Sequence, residues 1–264
     1  MKKMNFSDAS EKLRGCQEKF YLNEERLYCK YDLDPFTEGL SEVIADMALN
    51  AMTADGEQID HVHYFLRKHQ GRTVCCSESF LQADEEEIPW GSILSKNWNF
   101  RPGYNREMPR FTKIELMFDL LEEYMPREKL ERRFALDTIL DWFFVDIDRH
   151  IDNYSFIKNV KNGKVRMAPR YDNGAAFRCN LMDTGYRVKT HYPPSFGDTQ
   201  LAWATGAGSP IIVFDFAMFA SSFLEKRAEL SEYYDPCLVQ EYFEKVNIVC
   251  EQLPYQYSKF KIIW

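Results

Sequence analysis

The spacing of apolar and polar positions divides the chain into a strand-rich first third and a longer, mostly helical remainder. "KFYL" (19–22) and "RLYCKY" (26–31) flank the polar "NEE", and "HVHYFLRK" and "RTVCCS" flank "HQG", so each pair predicts a β-hairpin. Between the hairpins, "TEGLSEVIADMALNAM" (37–52) sets Leu40, Val43, Ile44, Met47 and Ala51 at helical spacing, with Thr37 as the N-cap. From about residue 108 the helical period dominates. "TKIELMFDLLEEYM" opens on a capping box, Thr112 with Glu115, and "PREKLERRFALDTILDWFFV" begins with Pro at its first turn and becomes apolar almost all round, which predicts a buried helix. Ser209-Pro210 and Asp235-Pro236 predict the starts of two more helices, and the Pro-, Gly- and Trp-rich stretch from about 80 to 110 predicts a connector. One short strand pair interrupts this half: "YSFIKNV" and "KVRMAP", joined at Asn162-Gly163, predict a tight hairpin that carries the chain from Asn153 to "YDNG" (171–174).

Composition narrows the class. A chain of 264 residues with 45% hydrophobic content buries a sizeable core. The net charge of −8, with acids at "ADEEE" (83–87) and no long basic run, provides no stripe to neutralise a nucleic-acid backbone, so no nucleic-acid partner is expected. The 7 cysteines contain no C-x-x-C pair and read as reduced, mostly buried thiols. No apolar run reaches the length of a membrane span and no signal peptide is visible, so a cytoplasmic protein without membrane association is expected.

The chemistry concentrates in "DWFFVDIDRHIDNYSF" (141–156). Phosphoryl transfer from ATP needs a carboxylate near the attacking hydroxyl, oxygen ligands that hold Mg2+ against the phosphates, and a lysine on the phosphate charge. Asp148 and Asn153 have the five-residue separation of the protein-kinase catalytic loop, and Asp172 in "YDNG" follows after a hairpin, as a kinase metal-binding aspartate does. Asp148 is then the residue that orients or deprotonates the acceptor hydroxyl, while Asn153 and Asp172 are the Mg2+ ligands. Arg149 and His150 are expected to support the loop. Lys30, on the strand before the first helix, is the candidate phosphate lysine, with Glu38 or Glu42 as its ion-pair partner. Both glutamates lie opposite the apolar stripe, where a solvated acid also lies. "SDASEKLRGCQEK" (7–19), with Ser7, Ser10 and Gly15, is the only phosphate-covering loop on offer, since no G-x-G-x-x-G is present. Thr184, Tyr186, Thr190 and Ser195 occupy the activation-loop position and, with Ser7 and Ser10, are candidate autophosphorylation sites. The chemical rival is a di-metal hydrolase drawing on Asp146, Asp148, His150, Asp152, His61 and His63, although the His61-x-His63 spacing reads as a surface pair.

"DIDRHIDNYSF" followed by "MAPRYDNGAAF" resembles the catalytic region of the HipA-like serine/threonine kinases, whose pattern runs close to N-x-D-R-H-x-x-N and then a-P-x-Y-D-x-G. The resemblance covers about residues 134 to 178. It implies an α+β, bilobal protein-kinase-like fold, with a small strand-rich N-lobe over 1–105 and a mostly helical C-lobe over 106–264. It also implies ATP with Mg2+ as cofactors and a protein serine or threonine as acceptor, with Asp148 matching the catalytic aspartate and Asn153 and Asp172 the magnesium ligands. Asp146 stands where the family pattern has Asn and adds a negative charge beside the site. The amino end is short for the extra subdomain of full-length HipA proteins, so their antitoxin and DNA associations are not expected; a regulatory protein partner stays open. A small-molecule phosphotransferase of the same fold and a catalytically inactive nucleotide-binding module are the alternatives.

Overall fold

The computed structural model describes residues 18–32, 37–97, 100, 109–146, 148–177, 204–206, 209–252 and 257–264. Ser7, Ser10, Gly15, Thr184, Tyr186, Thr190 and Ser195 lie outside the described residues. The chain forms an α+β fold with a strand-rich amino-terminal region and a helical carboxy-terminal region, a bilobal kinase-like architecture.

Both predicted amino-terminal hairpins form. β1 (Lys19–Leu22) pairs with β2 (Leu27–Tyr31), β5 (Tyr64–His69) pairs with β6 (Arg72–Glu78), and the sheet runs β1-β2-β6-β5. The second hairpin turns at Gln70 and Gly71, both at positive φ, the conformation that matches the twist of a two-residue hairpin loop. Helix α1 (Glu38–Asn50) lies where predicted, yet Thr37 does not cap it with its side chain. Its hydroxyl is instead 3.1 Å from that of Tyr242. After α1, β3 (Met52–Ala54) and β4 (Glu57–Gln58) form a further hairpin through Asp55 and Gly56.

The stretch read as a connector contains structure. β7 (Glu85–Pro89) pairs along its length with β8 (Ser155–Asn159), which also pairs with β9 (Val165–Met167), and α2 (Trp90–Leu94) follows directly. Acidic β7 therefore flanks the hairpin that separates the two candidate site loops. That hairpin is wider than predicted: Asn159 and Lys164 close it, Gly163 alone takes positive φ, and the Asn159 side chain accepts from the backbone of Lys161 and Asn162. Helix α3 (Arg110–Leu121) starts from Pro109, so Thr112 lies inside the first turn and no capping box forms. Helix α4 (Arg127–Phe144) is buried along its second half, as its apolar wheel requires.

The carboxy-terminal region also holds strands. Ser209-Pro210 does not start a helix, because the β-branched "IIVF" run becomes β10 (Ile212–Asp215), and Asp215 caps α5 (Phe216–Leu230) by accepting from the Met218 amide at 2.8 Å. Helix α6 (Pro236–Gln252) begins where Asp235-Pro236 predicts. The terminal apolar residues form β11 (Phe260–Ile263), parallel to β10, in a sheet ordered β11-β10-β3-β4. The largest apolar cluster joins Leu40, Val43 and Ile44 of α1 to Leu140 and Phe143 of α4 and Phe219 of α5. Helix α1 thus lies against β5, β6, α5 and α6 at once, which is why its polar face is buried too.

Candidate active site

The β8–β9 hairpin returns the chain to its starting point, so Asn153 and Asp172 meet: the Asn153 amide donates to Asp172 Oδ2 at 2.8 Å. The other Asp172 oxygen accepts from Lys30 Nζ at 2.5 Å, and Lys30 lies 3.3 Å from Glu42 Oε1. Lys30 therefore pairs with Glu42, not Glu38. Glu42 is fully buried, not the solvated acid that the helical wheel allows, because the backbone of the Asp172 loop covers that face of α1. The amide of Asn173 donates to Glu42 Oε2 at 2.8 Å. Glu38 lies beside Gly174, where a Cβ would stand 3.3 Å from the Glu38 Cβ, so the glycine serves close approach to α1. Positive φ falls instead on Asp172, at 62°, a sparsely populated conformation of the kind that clusters at functional sites. The Asp172 amide donates to the Tyr64 hydroxyl at 3.0 Å.

Lys30, Tyr64, Asn153 and Asp172 open onto a cavity of about 550 Å³. Lys19, opposite Lys30 in the β1–β2 register, lines it together with Lys30, Asn153 and Asp172, and Tyr28 and Phe80 contribute aromatic wall. Burial, and then the Lys30 charge, push the Lys19 pKa down. Burial acts the same way on Lys30, but Asp172 and Glu42 outweigh it and hold the ammonium charged. Lys30 in turn holds the Asp172 carboxyl well below the usual carboxylate range.

Burial pushes Glu42 up to about 7 against the pull of Lys30 and the Asn173 amide. Since the folded pKa lies above the ordinary value of 4.5, the stability tied to Glu42 is complete below about pH 4.5 and is lost as pH rises through about 7. Glu42→Gln, which cannot ionise, is expected to gain stability relative to the wild type between pH 5 and pH 8, by on the order of 3 kcal/mol for a shift of this size. Urea unfolding of both proteins at the two pH values measures it, and a pH-independent difference would remove Glu42 as the titrating group.

The remaining predicted residues form the loop's support. The Asp148 amide donates to Asp146 Oδ1 at 3.0 Å, and the Asp148 side chain is exposed. Asp146 is buried, with Arg149 3.4 Å from its other oxygen, so its charge is neutralised locally. Arg149 reaches Asp141 Oδ1 at 3.0 Å, the Tyr171 carbonyl at 2.6 Å and Asn173 Oδ1 at 2.8 Å, bracketing Asp172 from both sides in sequence. The His150 amide donates to Asn153 Oδ1 at 2.8 Å, and its ring accepts from the Asp152 amide, which shapes the 3-10 turn Ile151–Asn153.

Several participants carry no motif. Arg170 donates to Asn173 Oδ1, Asp137 and Asp141, and Arg133 binds Asp137 from the other side. Asp137 and Asp141 sit one turn apart in an otherwise apolar helix, a pattern that requires buried cations and was the available signal. A metal-chelating cluster of Asp46, His61 and His63 lies one turn along α1 from Glu42. His61 is buried there and His63 exposed, so only one of the two is the surface residue that their spacing suggests.

No family model and no curated protein matches the chain. Among solved structures, it is similar to a Helicobacter pylori proinflammatory kinase, CtkA, with a TM-score of 0.63 and 13% identity over 89% of this chain and 90% of that one. It is also similar to HipA in a complex of the Shewanella oneidensis MR-1 toxin–antitoxin system HipA, HipB and its operator DNA, with a TM-score of 0.51 and 17% identity over 98% of this chain and 67% of that one. At such identities the likeness concerns the fold alone, and the fold of this chain is similar to that of these two proteins.

Proposed function

We propose that the protein is an ATP- and Mg2+-dependent kinase that phosphorylates serine or threonine of a protein substrate, with residues 1–105 and 106–264 as its two lobes. The convergence of Lys30, Asn153 and Asp172 on one cavity, with Glu42 buried behind Lys30, carries this reading. A lysine charged by two acids can meet phosphate oxygens, and Lys19 beside it adds a second positive group. The aromatic flank of Tyr28 and Phe80 offers an apolar wall to a base. Asp172 fits Mg2+ as an ionised carboxylate at the cavity wall, and Asn153, which turns its NH2 to Asp172 and its Oδ1 to the His150 amide, would add an oxygen ligand by turning its amide over. When bound, the ion would supply positive charge to offset the charge that develops on the transferred phosphoryl group. Asp148 is exposed and anchored through its backbone, free to reach the acceptor hydroxyl and take its proton. Arg149 and His150 hold the two loops in register, Asp146 neutralises Arg149, and Glu38 flanks the Gly174 approach.

Transfer from labelled ATP tests the proposal. The wild type is expected to label itself or a protein acceptor in a Mg2+-dependent way, and Asp148→Ala to lose about 10²-fold or more of that rate. Equal labelling by both proteins would remove Asp148 from the chemistry. Nucleotide binding without transfer by either would identify an inactive nucleotide-binding module.

A further inference from the structure

Asp46 follows Glu42 by one helical turn on α1, and its carboxylate meets the segment that leads into β5. His61 and His63 alternate on that extended segment, so both rings project to the same side, with centroids 4.7 Å apart. His61 Nε2 lies 3.0 Å and His63 Nδ1 2.9 Å from the same oxygen, Asp46 Oδ1. The ligating atoms of all three residues fall within 4.8 Å of one another.

The hydrogen bonding of His61 fixes its ring. Its Nδ1 is 2.7 Å from the Ile59 carbonyl, which only accepts, so Nδ1 carries a proton. Nε2 then faces a carboxylate oxygen in a buried setting, with side-chain exposures of 3% for His61 and 6% for Asp46. A cation, or a second proton, between the two satisfies both. A ring that donates Nδ1–H to a backbone carbonyl and directs Nε2 inward has the orientation of a metal-bound histidine. The carboxylate is oriented as well: Asn50 donates to Asp46 Oδ1 at 2.9 Å and the Tyr64 amide to Oδ2 at 3.3 Å.

We propose that Asp46, His61 and His63 bind one divalent transition-metal ion of the zinc type, through His61 Nε2, His63 Nδ1 and an Asp46 oxygen, with a fourth position open to water. Two imidazoles and one carboxylate suit zinc and its neighbours, whereas Mg2+ takes oxygen ligands, so the site is distinct from Asn153 and Asp172. Tetrahedral zinc with bonds of about 2.0 Å spaces its ligand atoms about 3.3 Å apart, which asks the observed contacts to open by a few tenths of an ångström. His63, 70% exposed, provides the entry path. The bound ion would fasten α1, which carries Glu42, to the strand that carries Tyr64 and bridges at His61 to Arg170, two residues before Asp172. Its role is to position those elements.

The full chain, stripped with a chelator, is titrated with Zn2+ by calorimetry and with Co2+ by visible absorption. One equivalent of Zn2+ is expected, unaffected by excess Mg2+ and retained in Cys237→Ser, which removes the exposed cysteine among the described residues. His63→Ala, at an exposed position that leaves the core intact, and Asp46→Asn are each expected to weaken Zn2+ binding by more than about 100-fold, beyond the loss typical of an outer-shell partner. Co2+ in the wild type should show tetrahedral d–d bands without thiolate charge transfer. No Zn2+ uptake by the wild type, or wild-type affinity in His63→Ala, would overturn the proposal and leave an imidazolium–carboxylate cluster.

Discussion

Asp172→Asn is expected to reduce Mg2+-dependent phosphoryl transfer by about 10³-fold or more while the protein stays folded. The substitution keeps shape and removes one negative charge at the position proposed to hold the metal. Charge stabilisation by a bound ion amounts to several kcal/mol, and each 1.36 kcal/mol is tenfold in rate, so the factor follows from the loss of that ligand. Folding should survive for three reasons. Asn tolerates the positive φ of 62° at this position, the side chain is 38% exposed, and Lys30 keeps Glu42 as a partner. Transfer from labelled ATP, read beside the thermal midpoint with and without Mg2+-ATP, separates lost chemistry from lost fold. Wild-type transfer by the variant would sink the metal assignment of Asp172 and weaken that of Asn153.

Arg149→Met is expected to destabilise the protein by about 3–5 kcal/mol, the range for removing one partner from a buried charge network. Arg149 and Arg170 share the Asp141 carboxylate, at 3.0 and 2.5 Å, and both donate to Asn173 Oδ1. Without Arg149, Asp146 loses its cation and the Tyr171 carbonyl loses its donor. Arg149→Lys should rescue little, because one ammonium cannot reach the acceptors that the planar guanidinium fork spans. Urea unfolding at pH 7 measures both variants, and near wild-type stability for Arg149→Met would show that the network does not carry the fold. Transfer should fall in parallel, since Tyr171 and Asn173 flank Asp172.

The apolar pattern made α1, both amino-terminal hairpins, α4 and α6 legible, because each carries its own period and its own end signals. The meeting of Asn153 and Asp172 was legible through spacing, because the hairpin between them returns the chain to its start. What misled was local chemistry that tertiary pairing overrode. The "IIVF" run after Ser209-Pro210 joins β3 and β11 as strand β10, and the supposed connector holds β7, whose partner β8 lies far along the chain. Asp55-Gly56 carried a turn signal that went unread between two very short strands. No helix is long and apolar enough to cross a membrane among the described residues, in line with the absence of a long apolar run.

Sequence alone singled out the candidate residues, since residue type and spacing along one strand of chain survive without knowledge of the fold. Which of them meet was decided in three dimensions. The helical wheel leaves Glu38 and Glu42 equivalent, and only the passage of the Asp172 loop over α1 buries Glu42 beside Lys30. The wheel likewise gives Asp46 no partner, and the fold brings it His61 and His63 across fifteen and seventeen residues of chain. A period reports which face of an element differs from the others, but the field at a side chain comes from charges on other elements. Packing alone sets those distances.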